Sequence, residues 1–368
     1  MQATVLHITD RKRERLSQIS SLDNFTTTSG ETVDAQVILD NPNISLYCLD
    51  HDAQQAVFAE LPAGIDLSQI PFYYQGQFDH AQRLLVVPYH VFHRLADQIP
   101  PSDPIRLILI HNIGRCGSTL LSTALNELDG VISFSEPDVF TNFVLLRYHN
   151  RSELIRLLHS CLRMVFRPAV VGQAATYSLK FRNQCVEIMD LYYEAFPQAK
   201  HLFLYRSAFG WLASVYRLMS RGNPPPPMSR AEAISLQAAY GNRTHASTER
   251  FFDPAIETYS METYMTAAWL VMMDRALELF SQGMIPLALR YEDLTAQPER
   301  VLSALFDACD LPKTGVPLAL RAFERDSQEN TKLARDDAQS GNSVKLPAEL
   351  ILQIQAILNT HPVIRQAD

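Results

Sequence analysis

The sequence predicts an α/β protein: a parallel sheet flanked by helices, preceded by an α+β N-terminal extension. Three observations lead there. Beyond residue 104, short β-rich runs alternate with helical periods. A proline-rich break, Ile99-Pro100-Pro101-Ser102-Asp103-Pro104, separates that region from a mixed one before it. The stretch HNIGRCGSTLL, residues 111–121, passes from an apolar run into a helical period through two glycines, an arginine and two hydroxyls.

In chain order, residues 36–39 and 44–49 read as short strands, and 81–96 contains a helical stretch. These belong to a first region, 1–100, for which three roles stay open: capping the main domain, lining a substrate pocket, or mediating contacts in a homo-oligomer. The second region, 101–368, carries strands at 105–110, 131–134, 176–181, 201–205 and 286–291. Helical periods at 118–128, 154–165, 186–196, 209–219 and 264–280 fall between or after them. Such alternation indicates a parallel sheet covered on both faces, and ligands then bind beyond the carboxyl ends of the strands. The residues just after each run are therefore the ones to read for chemistry.

Composition narrows the classes. The chain has 368 residues, 47% hydrophobic and 20% charged, which suits a large globular core. The formal charge of -8 argues against a nucleic-acid or membrane partner, while leaving room for a locally basic pocket. The basic run at 11–15 reads as a solvated surface. No apolar window is long enough to span a bilayer, and the first residues lack the pattern of a secretory signal. The five cysteines, Cys48, Cys116, Cys161, Cys185 and Cys309, form no CxxC pair. A reduced, cytoplasmic protein with neither disulfide framework nor metal site is expected.

The opening stretch then acquires a purpose. Gly114 and Gly117 let the backbone turn sharply and approach a ligand. A helix starting near Ser118 aims its free N–H groups and positive dipole end into the turn. Arg115 adds a full charge, and Ser118 and Thr119 add hydroxyls. The combination suits a phosphate or sulfate group; taken alone, it also reads as a strand ending in a helix capped by Ser118. It is not the nucleoside-triphosphatase loop, which needs a lysine between the last glycine and the Ser/Thr.

The arrangement cation-x-Gly-Ser-Thr closely resembles the 5′-phosphosulfate loop of sulfotransferases that use 3′-phosphoadenosine-5′-phosphosulfate, PAPS. Two further segments extend the resemblance. HLFLYRSAFGWLASVYR, residues 201–217, supplies Arg206 and, eight positions on, Ser214, the spacing of the family's 3′-phosphate site. LALRYEDLTAQPERVLSALFDACDLP resembles the family's C-terminal strand, turn and helix; its Arg290 to Leu294 portion reads as structural. The three segments match in order through residues 106–312, leaving the first hundred residues uncovered.

The resemblance implies a P-loop sulfotransferase-like fold, with PAPS as co-substrate and no metal. It assigns Gly114, Arg115, Cys116, Gly117, Ser118, Thr119, Arg206 and Ser214 to the donor. Arg335, in the polar segment 327–335, stands roughly where the family has a late donor-binding loop, although the family's RKG motif is missing. Arg115 is expected to stabilise the departing phosphate oxygen.

The proton acceptor departs from the pattern. Small-molecule members carry Lys-Thr-His after the next strand; here SLKFR keeps Lys180 but has Arg182 at the histidine position. Glu136, in SFSEPDVF at a strand end, is the substitute, since carbohydrate and tyrosylprotein members use a glutamate as base. Asp138 and His111 are weaker candidates, and Lys180, retained just after its strand, is expected to have a catalytic role. Loops at 222–227 and 241–254 are expected to shape access for a small-molecule or glycan acceptor. Two other classes remain: an atypical P-loop kinase, and a nucleotide-binding protein without catalysis.

Overall fold

The computed structural model describes residues 1–13, 18–99, 106–147, 149–167, 170, 172, 174–219, 227–232, 257–284, 287–326 and 348–364. By packing, the chain divides into two compact units. One comprises Met1–Leu109 with Ser122–Lys200; the other comprises Ile110–Leu121 with His201–Asp368. The boundary expected near residue 100 therefore separates two sheets in sequence, whereas packing groups the N-terminal region with part of the chain that follows it.

The N-terminal sheet is antiparallel. Its strands are β1 (Gln2–Arg11), β2 (Phe25–Asp34), β3 (Ile44–Asp50), β4 (Gln55–Glu60) and β5 (Arg83–Pro88), in the order β2-β1-β5-β4-β3. β1 buries Ala3 and Val5 on one face, as a half-covered strand does by alternation. β3 is an edge strand, yet Ile44 through Leu49 are all buried, because the helix Arg151–Val165 packs on it. Residues 36–39, read as a strand, instead belong to a helical turn, Val37–Asp40. The Asp34 carboxylate accepts from the Gln36 N–H at 3.0 Å and starts the turn. Val37, Ile38 and Leu39, three apolar residues in a row, have no period that could have distinguished the two.

The later strands are β6 (Arg106–Asn112), β7 (Val131–Ser135), β8 (Thr176–Lys180), β9 (Lys200–Tyr205) and β12 (Leu287–Arg290). They form a five-stranded parallel sheet, ordered β12-β9-β6-β8-β7 and flanked by helices. A two-residue pair, β10 (Met228–Ser229) and β11 (Thr258–Tyr259), completes the strands among the described residues. β6 is central, and it buries Ile108 through Asn112 as a continuous run, as a strand covered on both faces must. The helix expected at 186–196 is a 3-10 turn, Asn183–Ile188, followed by an α-helix, Met189–Ala195.

One apolar core in the first unit joins the N-terminal sheet to the helix Arg151–Val165 and to β7 and β8; Tyr47, Phe58, Phe92, Leu157 and Leu179 belong to it. All five cysteines are buried, and none is in a disulfide. No helix among the described residues is long and apolar enough to cross a membrane, and no metal-ligating cluster occurs among them.

Arg167 is a buried polar group beside this core. It is 1% exposed, and its guanidinium donates to the carbonyls of Met164 (3.1 Å), Asn41 (2.8 Å) and Ile44. Burial lowers its pKa to about 10, and Tyr73 opposes that. Replacing it leaves those carbonyls dry and unpaired. Arg167→Leu, which keeps much of the volume, is expected to cost about 3 kcal/mol in urea unfolding; an unchanged midpoint would mean the carbonyls are satisfied some other way.

Candidate functional site

In the second unit, the residues singled out around the loop after β6 come together. Asn112 Oδ1 accepts from the Gly114 N–H at 2.9 Å and opens the turn. Three residues then take left-handed backbone: Gly114 at φ 73°, Arg115 at 51° and Gly117 at 80°. For arginine that conformation costs about 1–2 kcal/mol. Among the described residues only Gln54, Glu136 and Asp310 share it without being glycine. The helix Ser118–Asn126 starts directly after the turn, with Ser118 and Thr119 buried at its first positions.

The loop is held from three sides. Cys116, fully buried, directs Sγ to the Leu204 carbonyl at 3.3 Å, so its side chain packs under the turn. Trp211 Nε1 donates to the carbonyls of Ile113 (3.2 Å) and Gly114 (2.9 Å). The Tyr291 ring lies against Gly117 so closely that a Cβ there would fall 2.8 Å from it.

The two arginines meet over this frame. Arg115 Nε donates to Ser214 Oγ at 3.1 Å. Arg206 Nη1 donates to the Arg115 carbonyl at 3.3 Å, and its guanidinium stacks on Tyr291 at 4.3 Å from the ring centre. Trp269 Nε1 holds the Arg206 carbonyl at 3.1 Å. Glu292 lies 3.9 Å from Arg206 Nε and accepts from the hydroxyl of Ser207 at 2.7 Å. Burial lowers the pKa of Arg115, and the Arg206 charge lowers it further. Burial likewise lowers that of Arg206, against the opposing pull of Tyr291 and Glu292. Arg217, one turn beyond Ser214, adds to the positive field at both. Buried Arg206 Nε makes no hydrogen bond. Partly desolvated like charges beside a helix N-terminus are a setting that an anion would relieve.

In the first unit, Glu136 follows β7 and Lys180 ends β8. Glu136 has φ 62°, and its N–H donates to the Lys180 carbonyl at 2.7 Å. The Lys180 ammonium, 2% exposed, is paired with the Glu136 carboxylate, 13% exposed. Lys180 also lies 6.0 Å from the centre of the Phe72 ring. Glu136 thus has a rigid place and a cation beside it.

The weaker base candidates have other work. Asp138, 0% exposed, accepts from Arg182 Nη1 at 2.9 Å on each oxygen. Burial raises its pKa, but Arg182 and Arg13 outweigh burial and hold it below the usual value. That makes Asp138 an anchor, and it explains the use of Arg182 where a histidine was expected. His111 is buried in β6 and shares a 3.1 Å contact with His201 Nδ1; burial, then His201, pushes its pKa well down. It is a packed histidine. Arg335 and the loops 222–226, 241–254 and 327–335 lie outside the described residues.

Sequence reasoning missed Trp211, Trp269, Tyr291 and Glu292 as parts of this site. Their best signal was scarcity. The chain has two tryptophans, and both donate their indole N–H to carbonyls of the arginine-bearing turns.

No protein-family model matches the chain, and no curated protein matches it. Among solved structures it is similar to a sulfotransferase from Mycobacterium avium, at 12% identity and TM-score 0.43, over 74% of this chain and 81% of that one. It is also similar to the sulfotransferase domain of the curacin biosynthetic pathway, at 16% identity and TM-score 0.38, over 70% and 97%. A third likeness is to the sulfotransferase domain of the Synechococcus olefin synthase, at 17% and 0.38, over 70% and 94%. Matches at this level assign no activity, which has to rest on the geometry of the site.

The loop yields a test of its own. Gly117→Ala adds a Cβ at positive φ and against the Tyr291 ring. It is expected to destabilise the protein by about 1–2 kcal/mol from backbone strain alone. The rise in Tm given by inorganic sulfate should shrink with it. An undiminished sulfate increment in thermal unfolding would show that the turn carries no anion.

Proposed function

We propose that the chain transfers a sulfuryl group from PAPS to a hydroxyl of a small molecule or glycan, in the cytoplasm. The observation that carries this reading is the meeting of Arg115, Ser214 and Arg206 at one left-handed turn before a helix N-terminus. The resemblance of these segments to sulfotransferase donor loops supports the same reading. A kinase is less well supported, because Gly117 is followed directly by Ser118, with no lysine to reach a terminal phosphate.

PAPS would supply the sulfuryl group. The bond from sulfur to the phosphate oxygen breaks as the bond from sulfur to the acceptor oxygen forms, and the acceptor loses its proton. Arg115 and the N–H groups at the start of Ser118–Asn126 would neutralise charge developing on the departing phosphate. Arg206 and Ser214 would read the 3′-phosphate, with the fork of Arg206 as the principal donor. Glu136 would take the acceptor's proton, its carboxylate steadied by Lys180. Gly114, Gly117 and Thr119 complete the cradle, with Cys116 beneath it.

One observation favours a second reading, a protein that binds the donor without turnover. The Glu136 carboxylate is already engaged by a buried lysine. Donor binding with no transfer to any acceptor would select that reading.

Two measurements address the proposal. Calorimetry should find 3′-phosphoadenosine 5′-phosphate bound much more tightly than AMP. Arg206→Ala should narrow the gap about tenfold or more, since a charged hydrogen bond is worth roughly 1.5–3 kcal/mol. Equal affinity for both nucleotides in the unaltered protein would remove PAPS as donor. Second, Glu136→Gln keeps the shape and loses the basicity. It should leave donor affinity within about twofold and slow single-turnover transfer by roughly 10²–10⁴-fold. A near-normal rate would reject Glu136 as the base.

A further inference from the structure

We infer that the N-terminal region belongs to the catalytic apparatus, with Arg13 and Ser135 acting as positioning residues that hold Glu136 in its turn. The inference rests on the proposed role of Glu136 as proton acceptor and identifies what keeps that acceptor in place.

Glu136 is pinned on both sides. On the near side, Ser135 Oγ donates to the Pro71 carbonyl at 2.7 Å. On the far side, Asp138 receives the Ser20 N–H at 2.6 Å and Arg182 at 2.9 Å. Arg13 Nη2 stands 3.6 Å from the same carboxylate. Arg13 and Arg182 also stack on Tyr74, at 4.4 and 4.5 Å from its ring centre. Pro71, Ser20, Arg13 and Tyr74 all come from the first hundred residues. The sequence reading of the basic run as solvated surface fails at Arg13, whose side chain is 4% exposed.

The need for two anchors follows from the backbone. Glutamate at φ 62° is strained, and Pro137 disfavours the right-handed helical alternative for the residue before it. The relaxed choice is extended backbone, which would swing the carboxylate away from Lys180. Pinning residues 135 and 138 prevents that swing. The buried Asp138–Arg182 pair is a poor general stabiliser, because desolvation offsets much of its attraction. Its placement two residues from Glu136 gives it a positional use. Loosening the turn would misplace the base, and displacement of a reacting group by about 1 Å can cost 10²-fold in rate.

The test uses Arg13→Ala and Ser135→Ala, singly and together, in the full chain and in a Glu136→Gln background. The pair is expected to lower kcat about ten- to a hundredfold with donor KM within about twofold. It should cost nothing further when Glu136→Gln is already present, because groups that act through one residue are not additive with its loss. Amide hydrogen exchange across 131–142 should accelerate in the pair, and Arg13→Lys should recover most of the rate lost in Arg13→Ala. Exchange is read without any substrate, so it reports on the clamp even in a protein that transfers nothing. Equal losses in both backgrounds, or unchanged exchange across 131–142, would overturn the inference. A near-normal rate in Glu136→Gln alone would remove the base, and the positioning role with it, as a separate and recognisable result.

Discussion

The left-handed turn between β6 and the helix Ser118–Asn126 is the constraint on which the second unit's site depends. Five residues separate the end of the central strand from the first helical position. Three of them have positive φ, including an arginine. The strain at Arg115 is local, so something outside the turn must hold it. Trp211 and the Leu204 carbonyl do so through hydrogen bonds, and Tyr291 does so by contact. Without them Arg115 would relax, and its guanidinium would leave Ser214. The electrostatics follow from the same geometry: the frame keeps two arginines partly desolvated, a cost that an anion beside them would offset.

Tyr291 shows how several demands converge on one side chain. It covers Gly117, so no larger residue fits there, and it carries the Arg206 guanidinium on its face. The Gly117 position and the Arg206 orientation are therefore linked through one ring. The next residue, Glu292, binds Ser207 and lies 3.9 Å from Arg206, so that cation has one carboxylate near it. The strand-turn-helix segment near residue 290 is thus part of the frame around Arg115 and Arg206.

The parts legible in the sequence were those with local causes. Strand positions after residue 104 came from uninterrupted apolar runs. The turn came from glycines flanking a cation, and Arg206 with Ser214 came from the resemblance to a family's spacing. The parts that were missed had distant causes. Residues 36–39 follow a turn in which the Asp34 carboxylate accepts from the Gln36 N–H, a contact that no period reveals. Arg13 looked like surface because charge runs usually are, and its burial is explained by partners far along the chain, the Tyr74 ring and a carboxylate 125 positions away. The tryptophans were visible as residues but not as donors, since nothing local specifies which carbonyl an indole will find.

Arg182 is the most instructive departure. At the place where a histidine would accept a proton stands a cation that cannot, because an arginine stays protonated across the working range. Its binding to Asp138 raises its pKa still further against the cost of burial. A base at that place is therefore excluded by chemistry, whatever the fold. The carboxylate proposed above as the alternative, Glu136, follows the end of the neighbouring strand. It carries a strained backbone, a hydrogen bond to the Lys180 carbonyl and a lysine on its side chain. Arg182 then has a second consequence. It pairs with Asp138, two residues from Glu136, so the residue that stands in place of one possible base is among the contacts proposed to hold the other.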